Sequence, residues 1–162
     1  MGLNTALRIS DILNMTWGTV YDFEKKEYKN YIFSTETKTG KQTQIYINNN
    51  IKDALIEYRK ELDYSGKEIK ANQYLFAHSN KNLPISRVQA FRIIKNAARQ
   101  CNITGVISCH SLRKTFGYHA WKQGAPLAVL VNIYNHSSYQ VTQRYLGIEQ
   151  DDKDSIYIEI QL

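Results

Sequence analysis

The stretch "SCHSLRKTF", Ser108 to Phe116, puts one imidazole and two strong cations at a predicted helix start. His110 and Arg113 stand three residues apart, so on a first helical turn both point the same way. A helix start attracts anions, because its unpaired N–H groups and its dipole favour negative charge. The flanking sequence decides which anion is wanted.

On the C-terminal side, Ser111 can cap a helix running to Gln123, which Gly124 and Pro126 stop. A further helix is predicted over Leu127 to Tyr134. "NHSS" breaks it, and Ser137 or Ser138 starts another through Val141, Thr142 and Tyr145. The acidic "EQDDKD" reads as a last helix or a mobile arm, and "IYIEIQL" alternates like a terminal strand.

On the N-terminal side, Ser86 and Gln89 fit a capping box after Pro84. Val88, Phe91, Ile94, Ala98 and Cys101 form the predicted buried face behind it. Arg92, Lys95 and Arg99 line the other face, as a solvated surface or as DNA contacts. Ile51, Ala54, Leu55, Tyr58 and Leu62 make an amphipathic stripe, with Asn49 or Asn50 as its cap. Val20 to Phe23, Tyr28 to Ser34 and Thr43 to Ile47 are rich in β-branched and aromatic residues, split by "EKKE" and "TKTGK". They read as a three-stranded antiparallel meander. Leu7 to Met15 suits a short helix. The fold class expected is α+β, mainly helical, with a small three-stranded antiparallel sheet near the N-terminus.

At 162 residues the chain is one domain with room for a real core. No apolar run approaches bilayer length, so no membrane partner is expected. A net charge of +6 points to a polyanion. Cys101 and Cys109 fit no disulfide scaffold and no zinc spacing, and read as buried thiols in a reducing compartment. Met1-Gly2 does not open a myristoylation signal, because Ala6 stands where Ser or Thr is wanted. It reads as an added start, with a segment missing upstream.

Four separate pieces belong together: "TALRISDIL" with Arg8 and Asp11, "TKTGK" with Lys38, "HSLRKTF" with His110 and Arg113, and "NHSSYQVTQRYLG" with His136 and Tyr145. In this order and spacing they resemble the catalytic domain of the tyrosine recombinase (phage integrase) family, from Leu3 to about Asp152. The resemblance implies that Tyr145 attacks a DNA phosphodiester, leaving a 3′-phosphotyrosyl link and a free 5′-hydroxyl. It implies that Arg8 and Arg113 grip the non-bridging oxygens and that Lys38 protonates the departing 5′-oxygen. His110 would assist proton transfer at the tyrosine, His136 would hydrogen-bond the phosphate, and Asp11 would support the site. It also implies an upstream helical domain, a tetramer on double-stranded DNA, and a C-terminal arm over 148–162. The setting it implies is the nucleoid in the cytoplasm of a bacterial host.

The chemistry asks for these residue types. A phosphodiester is an anion that gathers more charge on its oxygens in the transition state. Arginine presents a planar fork of donors matched to two such oxygens and keeps its charge. Each preorganised donor is worth roughly 3 kcal/mol. A phenol of unperturbed pKa about 10 becomes a usable nucleophile among cations. The anion asked for at Ser108 to Phe116 is then a backbone phosphate. No nucleotide-binding glycine loop is present, and "DDKD" at 151–154 reads as a solvated helix end, so no cofactor or metal is expected.

Simpler readings exist for single residues. Arg8 can pair with Asp11 on a helix surface, and Lys38 beside Lys41 can be an ordinary soluble turn. Among twelve tyrosines, Tyr134 and Tyr139 also flank His136, but neither follows a threonine by three residues, as Tyr145 follows Thr142. Asn135 stands where the family usually has glycine, and asparagine tolerates the left-handed backbone glycine would supply. Leu127 to Gly147 alone reads as a helix-turn-helix DNA binder, which leaves Arg8, Lys38, His110 and Arg113 unexplained.

Overall fold

The structure, a computed structural model, describes residues 1–35, 40–78 and 81–160. Two short helices, α1 (Gly2–Thr5) and α2 (Ile9–Leu13), lead into α3 (Trp17–Val20). Three hairpins follow in two places. Strands β1 (Tyr21–Asp22) and β2 (Glu27–Tyr28) pair first, then β3 (Tyr31–Thr35) and β4 (Gln42–Tyr46). Helix α4 (Asn49–Tyr64) separates these from β5 (Ala77–His78) and β6 (Lys81–Pro84). The remainder is helical: α5 (Arg87–Gln100), α6 (Cys109–Lys122), α7 (Leu127–Tyr134), α8 (Tyr139–Leu146) and α9 (Glu149–Glu159). The α+β, mainly helical class is as expected.

The expected meander is two hairpins instead. Its middle strand breaks at Lys29 and Asn30, so Tyr28 pairs back to Tyr21 while Tyr31 pairs forward to Tyr46. The two ladders use different residues of one extended segment and never share a rung. At the first turn, Asp22 Oδ1 accepts from the backbone N–H groups of Glu24 and Lys25, both at 3.0 Å, and Lys26 turns left-handed at φ 56°. The β5–β6 hairpin escaped sequence reading because its strands are too short and polar to alternate visibly.

Helix starts follow local side-chain chemistry. The capping box at Ser86 and Gln89 forms as expected, with bonds of 2.9 and 3.1 Å. The cap of α4 is Asn48, one or two residues before the expected site, and its Oδ1 accepts from Ile51 N–H at 3.0 Å. On α6 the cap is Ser108; Ser111 sits three residues on and completes the box, its Oγ accepting from Ser108 N–H at 2.9 Å. The last segment is helical through Glu159, so the alternation over Ile156 to Glu159 does not make a strand, and Gln161 and Leu162 lie outside the described residues. Ile156, Tyr157 and Ile158 are exposed on that helix.

The core has two parts. One gathers Leu7, Ile12, Met15, Trp17, Val20, Ile32, Ile47, Ile51, Leu55 and Leu75. The other gathers Ala6, Leu130, Tyr134, Leu146 and Ile148. Consecutive residues Ala6 and Leu7 thus enter different clusters, and Arg8 follows directly. Helix α5 buries Ala90 and Ala98, while Val88 and Phe91 of its expected inner face, and Cys101 after it, are exposed. Ala54 of α4 is likewise exposed, though Ile51 and Leu55 are buried as the stripe requires.

Candidate active site

Arg8 is set by the turn before it. Ala6 ends α1 at φ 55°, ψ 11°, a left-handed conformation that costs an L-residue about 1 kcal/mol. Its methyl is 3% exposed in the second core cluster, and that burial offsets a cost of this order. Thr5 Oγ1 accepts from Leu7 N–H at 3.4 Å and donates to the Met1 carbonyl at 3.2 Å, closing the turn. Arg8 is therefore delivered in extended conformation as the residue preceding α2. Asp11, on the first turn of α2, is 5% exposed.

Arg113 comes from α6 and is 4% exposed. Its Nη2 donates to the Tyr134 carbonyl at 3.0 Å, and its guanidinium carbon lies 4.8 Å from the centre of the Tyr134 ring. The Tyr134 hydroxyl donates back to the Arg113 carbonyl at 2.6 Å. Helices α6 and α7 are thereby tied across 21 residues by a reciprocal pair of bonds. Gly117 permits this approach, since a Cβ there would overlap the Tyr134 ring and a Leu146 methyl.

His136 follows the left-handed Asn135, at φ 53°, ψ 46°, so asparagine does take the role expected of it. The His136 N–H closes the helix end on the Val131 carbonyl at 3.1 Å. The imidazole stacks on Tyr134 at 5.3 Å and meets Tyr145 edge-on at 5.2 Å, while Tyr134 and Tyr145 are 5.4 Å apart. Its Nδ1 lies 3.0 Å from Thr142 Oγ1.

Tyr145 is on α8, half-buried, and its hydroxyl oxygen is buried within reach of the Arg113 guanidinium. Burial raises its pKa, and the guanidiniums of Arg113 and Arg8 act against that rise. Burial lowers the His136 pKa, and the same two guanidiniums lower it further. Two cations thus converge on one phenol and one imidazole. Such a pocket can hold an oxyanion against the phenol oxygen and help that oxygen shed its proton.

The structure therefore brings Arg8, Arg113, His136 and Tyr145 together, from four separated stretches. His110 lies on α6 one turn before Arg113 and is exposed. Lys38 lies outside the described residues, although the strands flanking it pair Thr35 with Gln42. Arg92, Lys95 and Arg99 are exposed on α5, with Lys95 Nζ 5.9 Å from the Phe91 ring centre. Tyr139 is 51% exposed and outside the ring cluster. Cys101 is exposed and Cys109 partly so, which corrects the reading of both as buried thiols. Sequence reasoning missed Tyr134 and Gly117. A lone glycine inside a helical pattern was the available signal for the second.

This fold is shared with solved tyrosine recombinases. The XerA recombinase superposes with a TM-score of 0.74 at 21% identity, over 99% of this chain and 56% of that one. The XerH recombinase bound to its difH substrate before cleavage gives 0.68 at 14% identity, over 99% and 45%. The sequence pattern of the Phage integrase family matches residues 1–151, and the chain belongs to that family. It is 41% identical over 156 residues to the probable integrase/recombinase YoeC of Bacillus subtilis (strain 168), covering 96% of this chain and 78% of the relative. It is 22% identical to the tyrosine recombinase XerC of Thermodesulfovibrio yellowstonii, over 95% of this chain and 50% of the relative. The chain thus spans about half the length of the XerC and XerA proteins it matches.

Proposed function

We propose that residues 1–162 form the catalytic domain of a site-specific DNA recombinase that breaks and rejoins strands through a 3′-phosphotyrosyl intermediate. The observation that carries this reading is the gathering of Arg113, His136 and Tyr145 around the buried Tyr134 ring. The Tyr145 oxygen attacks phosphorus, its proton leaves, and the bond to the 5′-oxygen breaks. Arg8 and Arg113 neutralise the charge that gathers on the non-bridging oxygens. His136 donates a hydrogen bond to the same phosphate. Lys38 protonates the leaving 5′-oxygen and His110 assists at the tyrosine, with Asp11 supporting the site. Attack by a different 5′-hydroxyl reverses the chemistry and joins a new strand, conserving the bond's energy without nucleotide or metal.

Exposed Arg92, Lys95 and Arg99 suit contacts to the DNA backbone. The recombining species is a tetramer on duplex DNA, with residues 148–162 as an arm between protomers. Among the described residues no helix is long and apolar enough to cross a membrane.

A DNA duplex carrying a bridging 5′-phosphorothiolate tests the chemistry, because the thiol leaving group needs no acid and cannot rejoin. Wild-type protein and Tyr139→Phe are expected to form a covalent adduct resistant to denaturant, and Tyr145→Phe none. An adduct that survives in Tyr145→Phe refutes the assignment. Reactions belong at low salt, since phosphate contacts weaken steeply as salt rises.

A further inference from the structure

Thr142 is fully buried on α8, one turn before Tyr145. Its hydroxyl lies 3.0 Å from His136 Nδ1 and 3.4 Å from the Ser138 carbonyl. It has one proton to give. A backbone carbonyl only accepts, so donation to Ser138 would require a hydrogen on Nδ1. Donation to Nδ1 leaves that nitrogen bare and puts the ring proton on Nε2. The 3.0 Å contact is present in either arrangement, so the carbonyl decides: 3.4 Å is long for an O–H···O bond, which favours donation of the hydroxyl proton to Nδ1.

The ring has little freedom otherwise. Tyr134 stacks on one face and Tyr145 meets it edge-on. The groups around it are the Arg8 guanidinium from the turn before α2, Arg113 from α6, Tyr134 from α7, and Thr142 and Tyr145 from α8. Burial and the two guanidiniums disfavour an imidazolium there, so one ring nitrogen carries hydrogen and the other does not. Which one decides whether the ring meets an incoming oxyanion with a donor or with a lone pair.

We propose that Thr142 is a positioning residue that donates its hydroxyl proton to Nδ1 of His136, fixes the ring proton on Nε2, and so makes His136 a hydrogen-bond donor to a bound phosphate. Phosphate oxygens only accept, and with this tautomer Arg8, Arg113 and His136 all present donors. The opposite tautomer would turn a lone pair toward the same oxygens. The catalytic consequence rests on the strand-cleavage reading above; the tautomer does not.

Long-range proton–nitrogen correlation spectra of the imidazoles read the tautomer in the DNA-free protein, at a pH where the ring is neutral. His136→Gln assigns the signal by its disappearance. The wild-type ring is expected to show a protonated Nε2 and a bare Nδ1, Thr142→Val a mixture, and Thr142→Ser the wild-type pattern. Phosphorothiolate adduct formation is expected to slow about tenfold or more in Thr142→Val, by analogy with other hydrogen bonds that orient a functional histidine, and to recover in Thr142→Ser. A hydrogen on Nδ1 in the wild-type ring overturns the proposal even where Tyr145 cleaves DNA. So does a Thr142→Val spectrum matching wild type. The expected tautomer in a protein that never forms an adduct upholds it and sinks the strand-cleavage reading instead.

Discussion

Burial and nearby charge act in opposite directions on Tyr145 and in the same direction on His136. For the phenol, burial favours the neutral form while Arg113 and Arg8 favour the phenolate. For the imidazole, burial and both cations favour the neutral ring. The consequence for stability has a definite sign. Because folding lowers the His136 pKa from an ordinary value of about 6.5, the unfolded chain binds that proton first as pH falls. The stability due to neutral His136 is complete above about pH 6.5 and drains away as pH falls toward the folded pKa. Urea unfolding between about pH 7.5 and 5.5 is expected to show this loss in wild type and a flatter curve in His136→Gln. An identical slope in the two proteins would mean that the ring is not desolvated. Arg8, Arg113, His136 and Tyr145 were named from the sequence through the family resemblance that the order and spacing of their motifs carry. Tyr134 was not. It sits in an aliphatic run, where a tyrosine reads as core, and its role depends on Arg113, 21 residues away, which only the fold brings beneath it.

Helix α6 can lie against α7 only because Gly117 lacks a side chain. Gly117→Ala would push a methyl into Tyr134 and Leu146, both buried, so the helices must part or the rings must shift. Overpacking of this kind costs about 1–3 kcal/mol. Thermal or urea unfolding is expected to show that loss, and adduct formation to fall further, because Tyr134 seats both Arg113 and His136. Unchanged stability would show that the contact relaxes freely. Elements defined by local chemistry were legible: the capping box of α5, the span of α7, the break at "NHSS" with Ser138 as the next cap. Elements that depend on partners were not. The strand Tyr28 to Ser34 carries no mark telling which half pairs with which neighbour. Ile156, Ile158 and Ile160 alternate as a strand would, yet they lie on a helix or just past its end, exposed. For α5, apolar spacing suggested Val88, Phe91 and Ala98 inward; Ala98 is buried as expected, but Ala90 takes the place inside that the larger Val88 and Phe91 do not.

Across the whole molecule, the site sits where the two core clusters meet. Leu7 anchors Arg8 from one cluster, and Ala6 from the other. The second cluster also contains Tyr134 and packs Tyr145 against it, so the partners on α6, α7 and α8 share a single rigid support. This arrangement explains how a basic chain of +6 can concentrate two of its cations on one phenol while leaving most others exposed. The central claim is that this phenol, of all twelve tyrosines, takes the phosphate. Tandem mass spectrometry of the peptide left on phosphorothiolate-trapped DNA tests it most directly. The account predicts the nucleotide remnant on Tyr145 alone; a remnant on Tyr134, Tyr139 or any other residue would contradict it.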